Sequence, residues 1–140
     1  MKALTVFQPY AHLLVLPEDH PQAKPMENRR RYFSFRGALL IHAGRSQEML
    51  EPEDIAEWPD MVFGALVGMV DIYDCVHVDK LPTELRNHQH AHGPFCLLRR
   101  NVRKFPTPIP CRGAQGIWYV EPAVERLVRE QMDASGEGRP

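Results

Sequence analysis

Lys24, Glu27 and Arg29 share one short stretch, Ala23-Lys24-Pro25-Met26-Glu27-Asn28-Arg29, ahead of the apolar run Gly37-Ala38-Leu39-Leu40-Ile41-His42-Ala43. Side chains two apart in an extended backbone share a face, so Glu27 and Arg29 point the same way. Lys24 precedes Glu27 by three residues, and Pro25 bends the chain so that the lysine comes alongside. Two cations beside one carboxylate make a small polar pocket suited to a phosphate, a carboxylate or the edge of a base. Arg29 brings a planar fork that fits an oxyanion. Lys24 brings a point charge, and Glu27 is an acceptor or a group that activates water. The bland alternative is three solvated charges on a loop.

Other residues extend this constellation. Tyr10 and Trp118 are the aromatic candidates; a base stacked on such a ring gains ~1–3 kcal/mol, although core packing is the reading favoured for Trp118. Gln8 can read a base edge or tie down the turn before Pro9. His42 ends the apolar run and is read first as a satisfied core histidine, second as a donor to a ligand. Asp71, among apolar residues, needs a cationic partner if buried, and Arg29 or Lys24 would serve. Arg29-Arg30-Arg31 with Arg36 form one basic cluster, and Arg99-Arg100 with Arg103-Lys104 a second. Arg29, Arg30, Arg31, Arg99, Arg100 and Arg103 are the expected phosphate contacts. Acid concentrates in Glu48 to Asp60, so the chain can show a basic face despite a net charge of −1. His88, His90 and His92 stand two apart, with His77 earlier, and imidazole suits zinc, nickel or copper. No acidic or cysteine ligand is fixed beside them, so the segment is read as a surface loop with no metal site. No cofactor motif is present.

These residues need a scaffold. The chain has 140 residues, 44% hydrophobic and 25% charged, the mix of a soluble globular protein. One domain over residues 1–132 is expected, followed by a disordered polar tail over 133–140. There is no apolar run of the ~20 residues that span a bilayer and no leader, so no membrane association and a cytoplasmic location are expected. Cys75, Cys96 and Cys111 are odd in number and widely spaced, which argues for reduced thiols.

Lys2 to Phe7 alternates as a strand, and Pro9 opens a short helix with Leu13 and Leu14 on one face. A short extended stretch covers Met26 to Arg29, and Gly37 to Ala43 is a buried strand. Ser46 is a candidate N-cap, with Pro52 restarting that helix. Gly64 to Val76 is the longest strand. Strict alternation puts Leu66, Gly68, Val70, Ile72 and Asp74 on one face, and Val67, Met69, Asp71, Tyr73 and Cys75 on the other. Pro94 to Phe105 and Gly116 to Val120 supply further strands. Val124, Leu127, Val128 and Met132 form a helical apolar stripe. Five or six strands with short helices give an α+β, mainly β fold, a compact barrel with a C-terminal helix.

Four segments carry a resemblance. They are Lys2 to Ala11 with its Gln8-Pro9-Tyr10, the Lys24 to Arg29 stretch with the Arg36 to Ala43 strand, Gly64 to Ile72, and Pro108 to Trp118. In this order they resemble the ASCH family, small β-barrel relatives of the PUA domains, over about Lys2 to Val120. The resemblance implies a PUA-like pseudo-β-barrel. Its ligand cleft would lie between barrel and first helix, lined by the lysine–glutamate–arginine segment. Lys24 matches the family's pocket lysine and Glu27 its acidic position. Some relatives that hydrolyse amides on modified cytidines carry threonine at that position as nucleophile, and the glutamate here departs from them. The expected function is binding of RNA or a nucleotide- or nucleoside-like ligand in this cleft. Gln8, Tyr10, Lys24, Glu27, Arg29, Arg30, His42 and Arg99 are its contacts. The alternative is a hydrolase with Lys24 and Glu27 as the catalytic pair, acting on N4-acylated cytidine or on RNA.

Overall fold

The computed structural model describes residues 1–134. Six strands form one mixed sheet in the order β2-β5-β4-β3-β1-β6, curled into a half-barrel. They are β1 (Lys2–Val6), β2 (Met26–Arg29), β3 (Gly37–Ala43), β4 (Ala65–His77), β5 (Phe95–Pro110) and β6 (Ile117–Tyr119). Short helices flank them: α1 (Tyr10–Leu14), α2 (Pro52–Glu57), α3 (Thr83–Arg86) and α4 (Pro122–Ala134). Among the described residues only β1 and β3 run parallel. No helix among the described residues is long and apolar enough to cross a membrane.

The apolar run of β3 is continuous because the sheet is buried on both sides. Leu39, Ile41 and Ala43 enter the core with Leu4, Val6, Ala11 and Leu14. Leu40 turns to the opposite face with Ala3, Leu66, Met69 and Phe105, where Val128 of α4 closes the layer. In β4 the strict alternation fails. Val67, Val70, Ile72 and Cys75 serve the first cluster, while Leu66 and Met69 serve the second. Two bulges in β4 account for this: Val67 is the extra residue against β3, where Ile41 and His42 pair with Gly68 and Leu66, and Tyr73 is the extra residue against β5, where Arg99 and Leu98 pair with Ile72 and Asp74. Each extra residue reverses which face the next side chain meets, and sharpens the local twist that curls the sheet.

Three boundaries differ from the sequence reading. β5 runs on past Phe105 to Pro110, because Ile109 and Pro110 still pair with Leu66 and Ala65 of β4, while β2 covers only Phe95 to Leu98 of its other edge. Pro108 and Pro110, on either side of the paired Ile109, can spend their missing N–H groups on that edge. Ser46 starts no helix: its Oγ accepts from Glu48 N at 3.3 Å in an isolated turn. α2 is opened instead by a capping box between Glu51 and Asp54. α4 continues through Asp133 and Ala134, so the tail expected from 133 is helical at its first two residues. Residues 135–140 of that expected tail lie outside the described residues.

Candidate functional site

The sheet edge places the Lys24–Arg29 segment. β2 pairs with β5 through Glu27↔Leu97 and Arg29↔Phe95, and Lys24 N donates to Leu13 O at 3.0 Å, tying the segment to α1. Lys24 Nζ donates to Glu27 Oε1 at 2.6 Å. Arg29 takes the other oxygen, with Nε 3.1 Å and Nη2 2.9 Å from Oε2. Arg29 Nη2 also donates to Thr5 O at 2.9 Å, which fastens the cluster to β1. Lys24 Nζ lies 4.9 Å above the Tyr10 ring. The three residues that the sequence grouped therefore meet as one unit. Glu27 is the hub, and both its oxygens are occupied by cations.

Exposure grades outward. The side chains of Lys24 and Glu27 are 5% and 9% exposed, and that of Arg29 is 26% exposed. The cluster opens into a cavity of about 840 Å³, walled by Tyr10 and Phe33 and rimmed by Arg30 and Arg31. That size suits a small-molecule ligand. The floor carries a net single positive charge, and Arg30 and Arg31 add to it at the mouth.

The histidine loop forms the opposite wall, a part the sequence did not assign to the site. His90 and His92 line the cavity. Asn28 pins them: its Nδ2 donates to His90 O at 2.9 Å, and its Oδ1 accepts from His92 N at 3.2 Å and Gly93 N at 2.8 Å. Burial, then the Lys24 charge, push the His90 pKa down to about 4. Among the described residues no group of histidine, cysteine or carboxylate side chains could hold a metal ion.

His12 behaves like His90. Its pKa is lowered to about 4 by burial first and the Lys104 charge second. Both folded values lie below the ordinary 6.5, so the unfolded chain takes up protons that the folded chain refuses. Stability from these groups is complete above about pH 6.5 and is lost as pH falls toward 4. The melting temperature is therefore expected to drop by several degrees between pH 7.5 and 5. A calorimetric pH series should show a shallower drop in His90→Gln.

Beside the main cavity lies a second, of about 430 Å³. His42 Nε2 sits 2.8 Å from Cys111 O and must donate to it. That fixes the tautomer and leaves Nδ1 to accept from Thr5 Oγ1 at 3.2 Å. Trp118 Nε1 donates to the same hydroxyl at 3.2 Å. Burial lowers the His42 pKa, and the neighbouring Arg45 charge adds to this despite the Cys111 bond. His42 is thus a satisfied, buried histidine whose ring still lines a cavity.

These features can be set beside known proteins. No family model matches the chain. The crystal structure of ASCH from Zymomonas mobilis aligns with a TM-score of 0.54, covering 92% of this chain and 93% of that one at 12% identity. Two single-substitution variants of the same protein each align with a TM-score of 0.55, again over 92% of this chain at 12% identity. The fold is that of the ASCH proteins. Among curated proteins, human activating signal cointegrator 1 is 26% identical over 137 residues. The match takes in 88% of this chain and 23% of that protein, so the chain spans under a quarter of the relative's length.

On the ASCH scaffold the remaining candidates scatter. Gln8 is fully buried, with Nε2 donating to Val62 O and Oε1 accepting from His12 N, each at 2.9 Å; it holds the turn. Arg99 lines neither cavity. It is 6% exposed, and its Nε and Nη2 have no partner among the described residues. Arg100 lies over the Tyr73 ring at 4.9 Å. Arg103 pairs with Asp71, which also accepts from Asn101 Nδ2 at 2.8 Å. The expected Asp71 pairing with Arg29 or Lys24 is therefore replaced: Asp71 on β4 stands opposite Arg100 in register and pairs diagonally with Arg103, while Glu27 satisfies both of the other cations. The second basic cluster does not extend the cleft.

Proposed function

We propose that this chain is a cytoplasmic binding module that takes the phosphate and base of a nucleotide, free or within single-stranded RNA, into the Lys24–Glu27–Arg29 cleft. The observation that carries this reading is the double occupancy of Glu27. Held by Lys24 on one oxygen and Arg29 on the other, the carboxylate positions two cations at the base of a ligand-sized cavity. Arg29 Nη1 makes no bond within the described residues, and Lys24 keeps two N–H groups, so donors remain for a phosphate. Tyr10 gives a base an aromatic wall. Hydrolysis, whether of N4-acylated cytidine or of RNA, would ask Glu27 to draw a proton from water. Both its oxygens are already engaged with cations, and this favours binding over turnover.

A basic mouth makes the reading testable by salt. Phosphates neutralised by Arg29, Arg30 and Arg31 release counterions, with a slope of about −0.7 per contact for single strands in log affinity against log salt. Affinity for a short single-stranded RNA is expected to fall about four- to fivefold between 50 and 100 mM salt. Arg30→Ala with Arg31→Ala should flatten the slope, as read by fluorescence anisotropy. Binding that ignores ionic strength, or no binding at low salt, would contradict the RNA form of the proposal.

A further inference from the structure

The two cavities are one groove with a divider. They share Thr5, Phe7, Ala114 and Gln115 as lining. Phe7 is 40% exposed at this boundary, although it sits between buried Val6 and buried Gln8. Its backbone is fixed, since its carbonyl accepts from Tyr10 N at 2.9 Å and Ala11 N at 3.2 Å. Its ring lies close over Gly44, where a Cβ would stand 3.1 Å from Phe7 Cδ1. A partly exposed aromatic ring that rests on Gly44 and lines both cavities is a stacking surface whose ordering cost is already met by the fold.

The far side of the divider has its own charge. Arg45 and Arg112 line the second cavity, both exposed, and neither makes a hydrogen bond or ion pair among the described residues. No carboxylate lines that cavity. Its floor is set by the Thr5–His42 pair. Gly113 presses on this floor so closely that a Cβ would fall 2.6 Å from Thr5 Oγ1. The groove thus presents a cationic site, an aromatic ring and a second cationic site in succession. One phosphate occupies only the first.

From this order we propose that the groove binds two consecutive nucleotides of a single strand. The first nucleotide lies with its phosphate on Lys24 and Arg29 and its base against Tyr10; the next phosphate lies on Arg45 and Arg112, and the second base stacks on Phe7. The inference rests on the reading of the Lys24 cleft as a nucleotide site, and names the length of strand that fills it.

The experiment is a calorimetric titration with adenosine 5′-monophosphate and with the 5′-phosphorylated di- and trinucleotides of adenosine. The dinucleotide is expected to bind at least tenfold more tightly than the monophosphate, and the trinucleotide less than threefold more tightly than the dinucleotide. Arg45→Ala combined with Arg112→Ala should erase most of the increment while leaving monophosphate affinity within twofold. Phe7→Ala should also erase it. All three side chains are exposed, and unchanged melting temperatures would show that the variants fold. Equal affinity for mono- and dinucleotide would overturn the two-subsite proposal while the nucleotide cleft stands. So would an increment that survives in both variants. No binding of any of the three ligands would overturn the cleft reading and this proposal with it.

Discussion

Glu27→Ala is expected to lower the free energy of unfolding by about 3–5 kcal/mol, the cost of leaving a buried cation without its partner. Lys24 is 4% exposed and rests on Tyr10, so the little water that reaches it from the cavity replaces the carboxylate poorly. Arg29 suffers less, because it is partly exposed and keeps its bond to Thr5 O. A urea titration measures the loss through its midpoint. Lys24→Met combined with Glu27→Leu should recover most of it, since an apolar pair of similar volume removes both buried charges together. A loss below about 1 kcal/mol for Glu27→Ala would mean that the pair behaves like an exposed salt bridge, against the burial described above.

The second large effect is on binding. Lys24→Ala and Arg29→Ala are each expected to weaken binding of a nucleoside 5′-monophosphate by about 10- to 150-fold, equivalent to ~1.5–3 kcal/mol for a charged hydrogen bond. Arg29→Lys should recover only part of this, because an ammonium cannot reproduce the fork that spans Glu27 and a phosphate. Stability and affinity separate the two roles of Lys24. Its loss removes a buried charge, whereas Arg29→Ala exposes nothing comparable. A variant at Arg29 that melts near the wild type and fails to bind would therefore place the defect in recognition. Affinity within threefold of wild type in both variants would move the phosphate elsewhere.

The part of the site that was legible in the sequence is local. Glu27 and Arg29 share a face because a strand has period two, and Pro25 with the Leu13 contact brings Lys24 in from three residues away. The wall opposite depends on contacts between distant residues. Asn28 reaches His90, His92 and Gly93 across 62 to 65 positions, and nothing in the spacing of those histidines signals that they will face Lys24. Arg99 shows the converse error. It reads as one of a run of surface cations, yet its N–H donates to Pro25 O at 3.1 Å, and the packed segment before β2 leaves its side chain almost no access to solvent. The strands themselves were legible from apolar runs and turn residues. Their faces in β4 were not, because a bulge costs one residue of register and leaves no mark in composition. Nothing in the sequence separates Phe7 from an aromatic residue that packs inward at a strand end.

The central claim is that Lys24 and Arg29 hold a phosphate in the cleft beside Tyr10. It is tested most directly by titrating ¹⁵N-labelled protein with cytidine 5′-monophosphate and, separately, with cytidine, following amide and arginine side-chain resonances. The account predicts saturable shifts for the monophosphate at Tyr10, Lys24, Arg29 and His90, including the Arg29 Nε–H, and much smaller shifts for the nucleoside at equal concentration. Shifts of equal size with and without the phosphate, or shifts confined to Arg100 and Arg103 on β5, would contradict it.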